Sequence, residues 1–247
     1  MDSTEQIELS YKEDFRVACL INNLSYKDLL QYFIDHISFY VFIGGSLPAA
    51  YVWSTAVCIA CREDSGGRAK PVQNQQIQQI SLKYIKVLTA FIQAAEKRGA
   101  VADIDAVMEQ WSREMLPLTH DAKEITLAGT GTIWISFDCN LLCNLSGINV
   151  KDLLQYFINH VSLARERAIN LLQHVEDDPS TAVLLSLMRS YSSSASKILP
   201  YQEIYKAYGL RLLKLDKKQK EEINPEIRLL NYSAFYLEWY HALNTEK

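Results

Sequence analysis

The sequence has few residues that interrupt regular structure and lacks the short motifs of common catalytic sites. Its 247 residues include nine glycines and six prolines, which excludes collagen-like and low-complexity chains. It has no Walker loop, dinucleotide-binding fingerprint, serine-nucleophile elbow or HExxH metalloprotease motif. A chain of this length can bury a core without support from a metal or a disulfide. We therefore expect a globular protein held together by its own hydrophobic core.

Cysteine is scarce, and its number, five, is odd. The first residues, MDSTE, lack the basic start and apolar run of a secretory signal. Reduced thiols and a cytoplasmic location follow as expectations. Two close pairs, Cys58 with Cys61 and Cys139 with Cys143, could together supply four thiolates to zinc. Because the first pair lies in an apolar helical run and no glycine-rich knuckle surrounds either pair, we predict core thiols and no metal or cofactor.

Charge is also scarce in one long stretch. Residues 36–61 contain no Asp, Glu, Lys or Arg, and their number passes the roughly 20-residue length test for a membrane span. The GGSLP segment at 44–48 breaks the stretch in the middle. We therefore predict two core helices joined by a turn, and no membrane association.

The chain as a whole is acidic, with a formal net charge of −4 and a pI of about 5.8. This charge disfavours nucleic acid as a partner. One local exception runs from 206 to 220, where basic residues accompany several leucines. The basic residues are Lys206, Arg211, Lys214, Lys217, Lys218 and Lys220.

A segment near the start of the chain recurs in its middle. Residues 14–38, DFRVACLINNLSYKDLLQYFIDHIS, align without gaps on residues 138–162, DCNLLCNLSGINVKDLLQYFINHVS, and 12 of 25 positions are identical. Chance would give about one or two identities. The offset, 138 minus 14 or 124 residues, is half of the chain. We predict a single domain, 1–247, made of two diverged repeats at about 1–123 and 124–247.

Much of the repeated block follows from the requirements of a helix. Ser25 before Asp28, and Asn149 before Asp152, are typical N-caps with an acid in the first turn. Downstream, apolar residues recur at helical spacing and predict a buried face in each repeat. These residues are Leu29, Leu30, Phe33, Ile34 and Ile37, and Leu153, Leu154, Phe157, Ile158 and Val161.

Four repeated polar residues are explained neither by capping nor by the core. They are Gln31, Tyr32, His36 and Ser38, which recur as Gln155, Tyr156, His160 and Ser162. Within each repeat the Tyr and the His lie four residues apart on one flank of the helix. We predict a binding site that includes Tyr32, His36, Tyr156 and His160. The alternative is that each histidine only bonds to a neighbour and that its recurrence is left over from duplication.

The remaining pattern predicts further helices and an all-α fold. The predicted helices are 11–22, 26–42, 49–62, 72–98, 103–116, a helix from 138 that aligns with 11–22, a capped helix after Asn149 that runs to 175, and then 181–191, 201–220 and 225–243. A polar stretch at 119–132 is expected to connect the repeats. The IWISF segment at 133–137 has strand propensity, but its neighbour aligns with a helix, so we predict no strand. The expected architecture is a bundle of about eight to ten helices with a pseudo-two-fold duplication.

These features favour a non-enzymatic binding, scaffold or regulatory protein, because no complete catalytic set is present. Its partner would be another protein or a small apolar ligand, and a homodimer is left open. One alternative is a metal- or small-molecule-dependent enzyme that uses His36 and His160 across the pseudo-axis, with Glu238 and His241 as further candidates. A second alternative is a nucleic-acid-associated regulator that uses residues 206–220.

Overall fold

The structure is a computed structural model that describes residues 5–66, 75–98, 104–118, 124–170, 178–192 and 201–245. These residues are mostly helical, as predicted, and contain twelve α-helices where about eight to ten were expected. The helices of the first half are α1 (Glu13–Ile21), α2 (Tyr26–Asp35), α3 (Phe39–Phe42), α4 (Ala49–Asp64), α5 (Gln75–Arg98) and α6 (Asp105–Met115). Those of the second half are α7 (Phe137–Ser146), α8 (Val150–His160), α9 (Leu163–Asn170), α10 (Pro179–Ser192), α11 (Gln202–Gln219) and α12 (Pro225–Thr245).

Three short strands form a sheet that the sequence analysis did not predict. The strands are β1 (Glu5–Ile7), β2 (Glu124–Leu127) and β3 (Gly131–Trp134). β2 lies in the middle, parallel to β1 and antiparallel to β3. The prediction of no strand in 133–137 was wrong, because β3 ends at Trp134 before α7 begins at Phe137. The strand and the repeated helix therefore occupy successive residues. Of the predicted connection, residues 119–123 lie outside the described residues.

Two breaks account for most of the extra helices. The predicted helix 26–42 stops after Asp35 and resumes as α3, because the Ser38 backbone N–H donates to Thr55 Oγ1 at 3.0 Å instead of continuing the helical ladder. The second break separates α8 from α9, and there the Ser162 N–H donates to Thr181 Oγ1, also at 3.0 Å. The predicted continuation over 171–175 lies outside the described residues.

The N-caps and the apolar faces of α2 and α8 agree with their predictions. Ser25 Oγ accepts from the Asp28 N–H at 3.0 Å, and Asn149 Oδ1 accepts from the Asp152 N–H at 2.7 Å. The predicted apolar faces of α2 and α8 are buried, with at most 2% of any side chain exposed. Moreover, every residue from 23 to 38 has the same degree of burial as the residue 124 positions later.

The chain forms two compact units whose bounds differ from those of the predicted repeats. Unit 1 contains Met1–Leu9 and Leu30–Leu154, and unit 2 contains Ser10–Leu29 and Gln155–Lys247. Thus α7 belongs to unit 1 although it comes from the second half of the chain, and α1 belongs to unit 2 although it comes from the first half. Whether the whole chain is a single domain of two repeats stays a prediction.

Trp111 of α6 is at the centre of the core of unit 1, where it is completely buried. Its ring is stacked on Tyr84 of α5, with centroids 5.5 Å apart and an interplanar angle of 10°. Phe39 and Phe137 meet it edge-on at 5.0 Å and 5.8 Å. These aromatic contacts join α3, α5, α6 and α7.

Unit 2 has an aromatic core built in a similar way. Trp239 of α12 is stacked on Tyr208 of α11, again with centroids 5.5 Å apart and an angle of 10°. Val17 and Ile21 of α1 belong to the same buried cluster. In both units the tryptophan Nε1 is buried and has no hydrogen-bond partner among the described residues.

The similar packing points to sequence matches outside the aligned block. Tyr84 and Tyr208 lie 124 residues apart, and Trp111 and Trp239 lie 128 apart. The tetrapeptide STAV occurs at 54–57 and again at 180–183, an offset of 126, and contains the threonine of each helix break. Small changes in offset between these matches interrupt a gapless alignment.

Among the described residues, no helix combines the length and the apolar run that a membrane span requires.

Candidate functional site

The two predicted Tyr–His pairs have the same local geometry. The rings of Tyr32 and His36 have centroids 4.0 Å apart, and those of Tyr156 and His160 are 3.9 Å apart. Each histidine Nδ1 lies 2.8 Å from the carbonyl oxygen of the tyrosine four residues earlier. His36 belongs to unit 1 and His160 to unit 2. Each imidazole is therefore oriented by its own helix, and the binding role of the pairs stays a prediction.

The repeated glutamines have a clear structural role. Gln31 receives a hydrogen bond from the Trp134 N–H at 2.8 Å and donates to the Trp134 carbonyl at 3.0 Å. Gln155 makes the same two bonds to the backbone of Ser10, at 2.9 Å and 2.8 Å. Ser10 and Trp134 are themselves 124 residues apart. Each glutamine side chain thus satisfies the backbone N–H and the backbone carbonyl of one residue.

Asp14 and Asp138 occupy the same position in the two aligned segments. Of these two, only the Asp138 carboxylate accepts a hydrogen bond from a backbone N–H among the described residues. Its Oδ2 accepts from the Phe39 N–H at 2.8 Å and so caps α3. Burial raises the pKa of Asp138 to about 6, although the bond from Phe39 opposes this shift. Asp14, which recurs as Asp138, is exposed.

The five cysteines are free and buried, as predicted. Burial raises the pKa of Cys61 to about 11 and the pKa of Cys19 to about 12. Burial also raises the pKa of Cys58, and the pKa of Cys139 is raised by its hydrogen bond with Cys143 and by burial. Neutral thiols are poor metal ligands and nucleophiles. The described residues contain no group of three or more His, Cys, Asp or Glu side chains arranged for a metal ion.

Glu238, a metal-ligand candidate in the enzyme alternative, is instead held by Arg211. The guanidinium donates to both carboxylate oxygens at 2.7 Å, and the Tyr208 hydroxyl donates to Oε1 at 3.1 Å. The Arg211 bond lowers the pKa of Glu238. Arg211 also lies over the Tyr208 ring, 4.7 Å from its centroid. Arg211 therefore joins α11 to α12 and contributes little to the basic surface.

A cavity in unit 2 is the strongest candidate for a binding site. Its volume is ≈ 500 Å³. The apolar part of its wall consists of Ile21, Leu163, Leu185, Leu212, Tyr236 and Trp239, and the polar part consists of Asn22, Glu166, Arg167 and Arg189. The wall offers guanidinium N–H donors beside apolar surface, and Asp216 balances the charge of Arg167. Such a wall suits a ligand that has an apolar body and an anionic group.

A polar network fixes Arg167. Arg167 Nη1 donates to Asp216 Oδ2 at 2.7 Å, and the Tyr232 hydroxyl donates to Asp216 Oδ1 at 2.9 Å. Burial and the bond to Asp216 raise the pKa of Tyr232, so the phenol stays protonated. Because a guanidinium carries five N–H groups, the bond to Asp216 leaves others for a ligand.

The corresponding positions of the first half carry apolar residues. At an offset of 124, Arg167 corresponds to Ile43 and Asp216 corresponds to Ile92, and at the offset of the tryptophans, 128, Tyr232 corresponds to Ile104. Glu166 and Leu163 correspond to Phe42 and Phe39. The second half therefore has a charged network and a smaller side chain where the first half has isoleucines and phenylalanines.

A smaller cavity of ≈ 260 Å³ shares the lining residues Leu163 and Tyr236 with the larger one. Its polar lining includes Glu13, Asp14 and Ser162. Two carboxylates and a hydroxyl would disfavour an anion here. The two cavities of unit 2 thus differ in charge.

Comparisons with known proteins were negative: no family model matches the chain, and no curated protein or solved structure matches it.

Sequence reasoning missed the residues of the larger cavity. Arg167 and Arg189 lie outside the aligned block and form no motif with each other. A signal was nevertheless present, because continuing the alignment beyond Ser38 and Ser162 pairs Ile43 with Arg167. A charged residue opposite an apolar one in the continued alignment indicates a change of role.

Proposed function

We propose that the chain is a non-enzymatic binding protein and that unit 2 binds an organic anion with an apolar body. The cavity of ≈ 500 Å³ carries this proposal, because its volume lies in the range of roughly 300–1,000 Å³ typical of small-molecule sites. Tyr236 and Trp239 offer flat apolar surface, and Arg167 and Arg189 offer guanidinium groups. A guanidinium binds carboxylate or sulfonate oxygens through paired N–H donors.

The second part of the proposal is a duplication followed by divergence. The equal burial of residues 23–38 and 147–162, the two glutamine contacts and the two Tyr–Trp stacks support a common origin of the halves. In this view the first half keeps an apolar core. The second half acquired Arg167, Asp216 and Tyr232, and with them the ligand site.

The test is to fill the cavity and measure the binding of defined probes. Titration with 8-anilinonaphthalene-1-sulfonate, followed by displacement with decanoate, should show saturable binding to the wild type. Leu163→Phe introduces the residue found at the corresponding position, Phe39, and should weaken both probes by roughly tenfold or more, since its ring would occupy the site. Arg189→Ala should weaken decanoate more than the uncharged decanol.

Leu229→Phe is the matched control, because the same substitution is then made at a leucine that is 37% exposed on α12 of the same unit and lines neither cavity. Equal probe affinity in Leu163→Phe and Leu229→Phe would contradict the proposal. Loss of affinity in His36→Gln and His160→Gln, but not in Leu163→Phe, would instead support the predicted Tyr–His site. Native mass spectrometry of protein purified without a tag would show directly whether an organic anion accompanies it.

A further inference from the structure

One face of α11 is exposed along its whole length and has the spacing of a helix-pairing seam. Lys206, Leu210, Leu213, Lys217 and Lys220, at the end of the helix, follow one another at intervals of four, three, four and three residues. All five are exposed, and Leu210 and Leu213 are 56% and 65% accessible. We call these five residues the α11 seam. A narrow stripe with this alternation is the pattern by which one helix packs against another.

The opposite face of α11 is already committed to the core of unit 2. Tyr205, Tyr208, Leu212 and Leu215 pack against the buried cluster of α12. Arg211, the one arginine of the basic stretch, is bound to Glu238. Among the described residues, none of these contacts involves the α11 seam, which contains two leucines in contact with solvent.

The charges around the seam specify which partner could cover it. Besides the lysines at its two ends, Lys214 and Lys218 lie beside it and are exposed. A second copy of this face would place lysines against lysines, which is destabilising. Nucleic acid would use the lysines but would gain nothing from the leucines. A stripe of two leucines is also small for a membrane-binding helix, which usually presents bulky aromatic or several apolar residues.

We propose that the α11 seam is a docking surface for an acidic amphipathic helix of another protein. Such a helix would pack its apolar residues on Leu210 and Leu213, and its carboxylates would lie near Lys206, Lys214, Lys217 and Lys218. Paired leucines give affinity, and the surrounding charges select the partner and set its orientation. This surface is separate from the cavity residues, so the proposal does not depend on the ligand.

The test uses two fluorescein-labelled helical peptides, each about three heptads long, with leucine at positions a and d. One peptide has glutamate at positions e and g, and the other has lysine there. The wild type should bind the glutamate peptide, and Leu210→Ser with Leu213→Ser should weaken binding by roughly tenfold or more. Lys206→Glu with Lys217→Glu should abolish the preference for the glutamate peptide, because two lysines and two glutamates would then surround the leucines. All four substitutions are on exposed positions, and circular dichroism would verify that the helices are intact.

Leu82→Ser on α5 is the matched control, because Leu82 is 50% exposed and corresponds to Lys206 at the offset of 124. It should leave binding of the glutamate peptide unchanged. Failure of the glutamate peptide to bind, or equal binding to the serine double variant, would overturn the proposal. Binding to phosphatidylserine-containing vesicles or to poly(U) that depends on the seam residues, in place of peptide binding, would also overturn it.

Discussion

The buried carboxylate of Asp138 shows how one side chain can make stability depend on pH. It bonds to the Phe39 N–H, and burial raises its pKa from the usual 3.8 to about 6. Because the pKa is higher in the folded state, the folded chain holds this proton more tightly than the unfolded chain does. The stabilisation from protonated Asp138 is present in full below about pH 4 and is lost as the pH rises to about 6.

We therefore predict that Asp138→Asn changes the pH dependence of unfolding. Asparagine can still accept from the Phe39 N–H but cannot ionise. Relative to the wild type, the variant should gain up to about 3 kcal/mol between pH 4 and pH 7, since a pKa difference of about two units corresponds to that free energy. Urea denaturation of both proteins across this range measures the difference. A difference that does not change with pH would contradict the prediction.

Residues whose role is local were predicted well from the sequence. Ser25 and Asn149 cap their helices because a cap needs only an oxygen two or three residues before a free N–H. The roles of Gln31 and Asp138 could not be predicted, because their partners lie 103 and 99 residues away in the chain. The role of Arg167 could not be predicted for the same reason, because its partner Asp216 is 49 residues away.

At the scale of elements, two threonines decide where helices end. The α2–α3 and α8–α9 breaks lie in apolar sequence with good helix periodicity, so local propensity predicts one continuous helix in each case. Thr55 of α4 accepts a hydrogen bond from the Ser38 N–H, and Thr181 of α10 accepts one from the Ser162 N–H. These two bonds override the local helix propensity. The strands were missed for a related reason, since a strand pairs with residues far away in sequence.

We predict that Thr55→Val and Thr181→Val each lower the free energy of unfolding by about 1–3 kcal/mol. Valine has the shape of threonine but no acceptor, so a buried serine N–H would be left without a partner. Thr89→Val is the matched control, because Thr89 is exposed and its hydroxyl donates to the Ile85 carbonyl within α5. Chemical denaturation compares the three variants. Equal losses at all three positions would mean that the buried bonds do not hold the breaks.

At the scale of the whole molecule, each compact unit is built from both halves of the chain. Unit 1 includes α7, and unit 2 includes α1. A gapless comparison of the sequence with itself could suggest two related halves, but it could not show which helix packs with which half. That information lies in tertiary contacts, such as those of Val17 and Ile21 with the α12 cluster.

This exchange of helices predicts the behaviour of a cut chain. If a specific protease site is inserted at 119–123, cleavage should leave two fragments that stay together in size-exclusion chromatography under native conditions. The reason is that each fragment contributes buried residues to a unit formed mainly by the other. The uncut protein with the same insertion is the control. Fragments that separate and remain folded would show that the halves are independent.

The position of α1 also affects the order in which the protein can fold during synthesis. Its apolar residues pack with Trp239, which lies 218 residues (239 minus 21) after the last residue of α1. At about 5–20 residues per second, the ribosome needs on the order of 10 seconds or more to make that stretch. Throughout this interval Val17 and Ile21 have no native partner from α12. Nascent chains should therefore attract chaperones that bind apolar helices, and products truncated before α12 should be recognised by quality control.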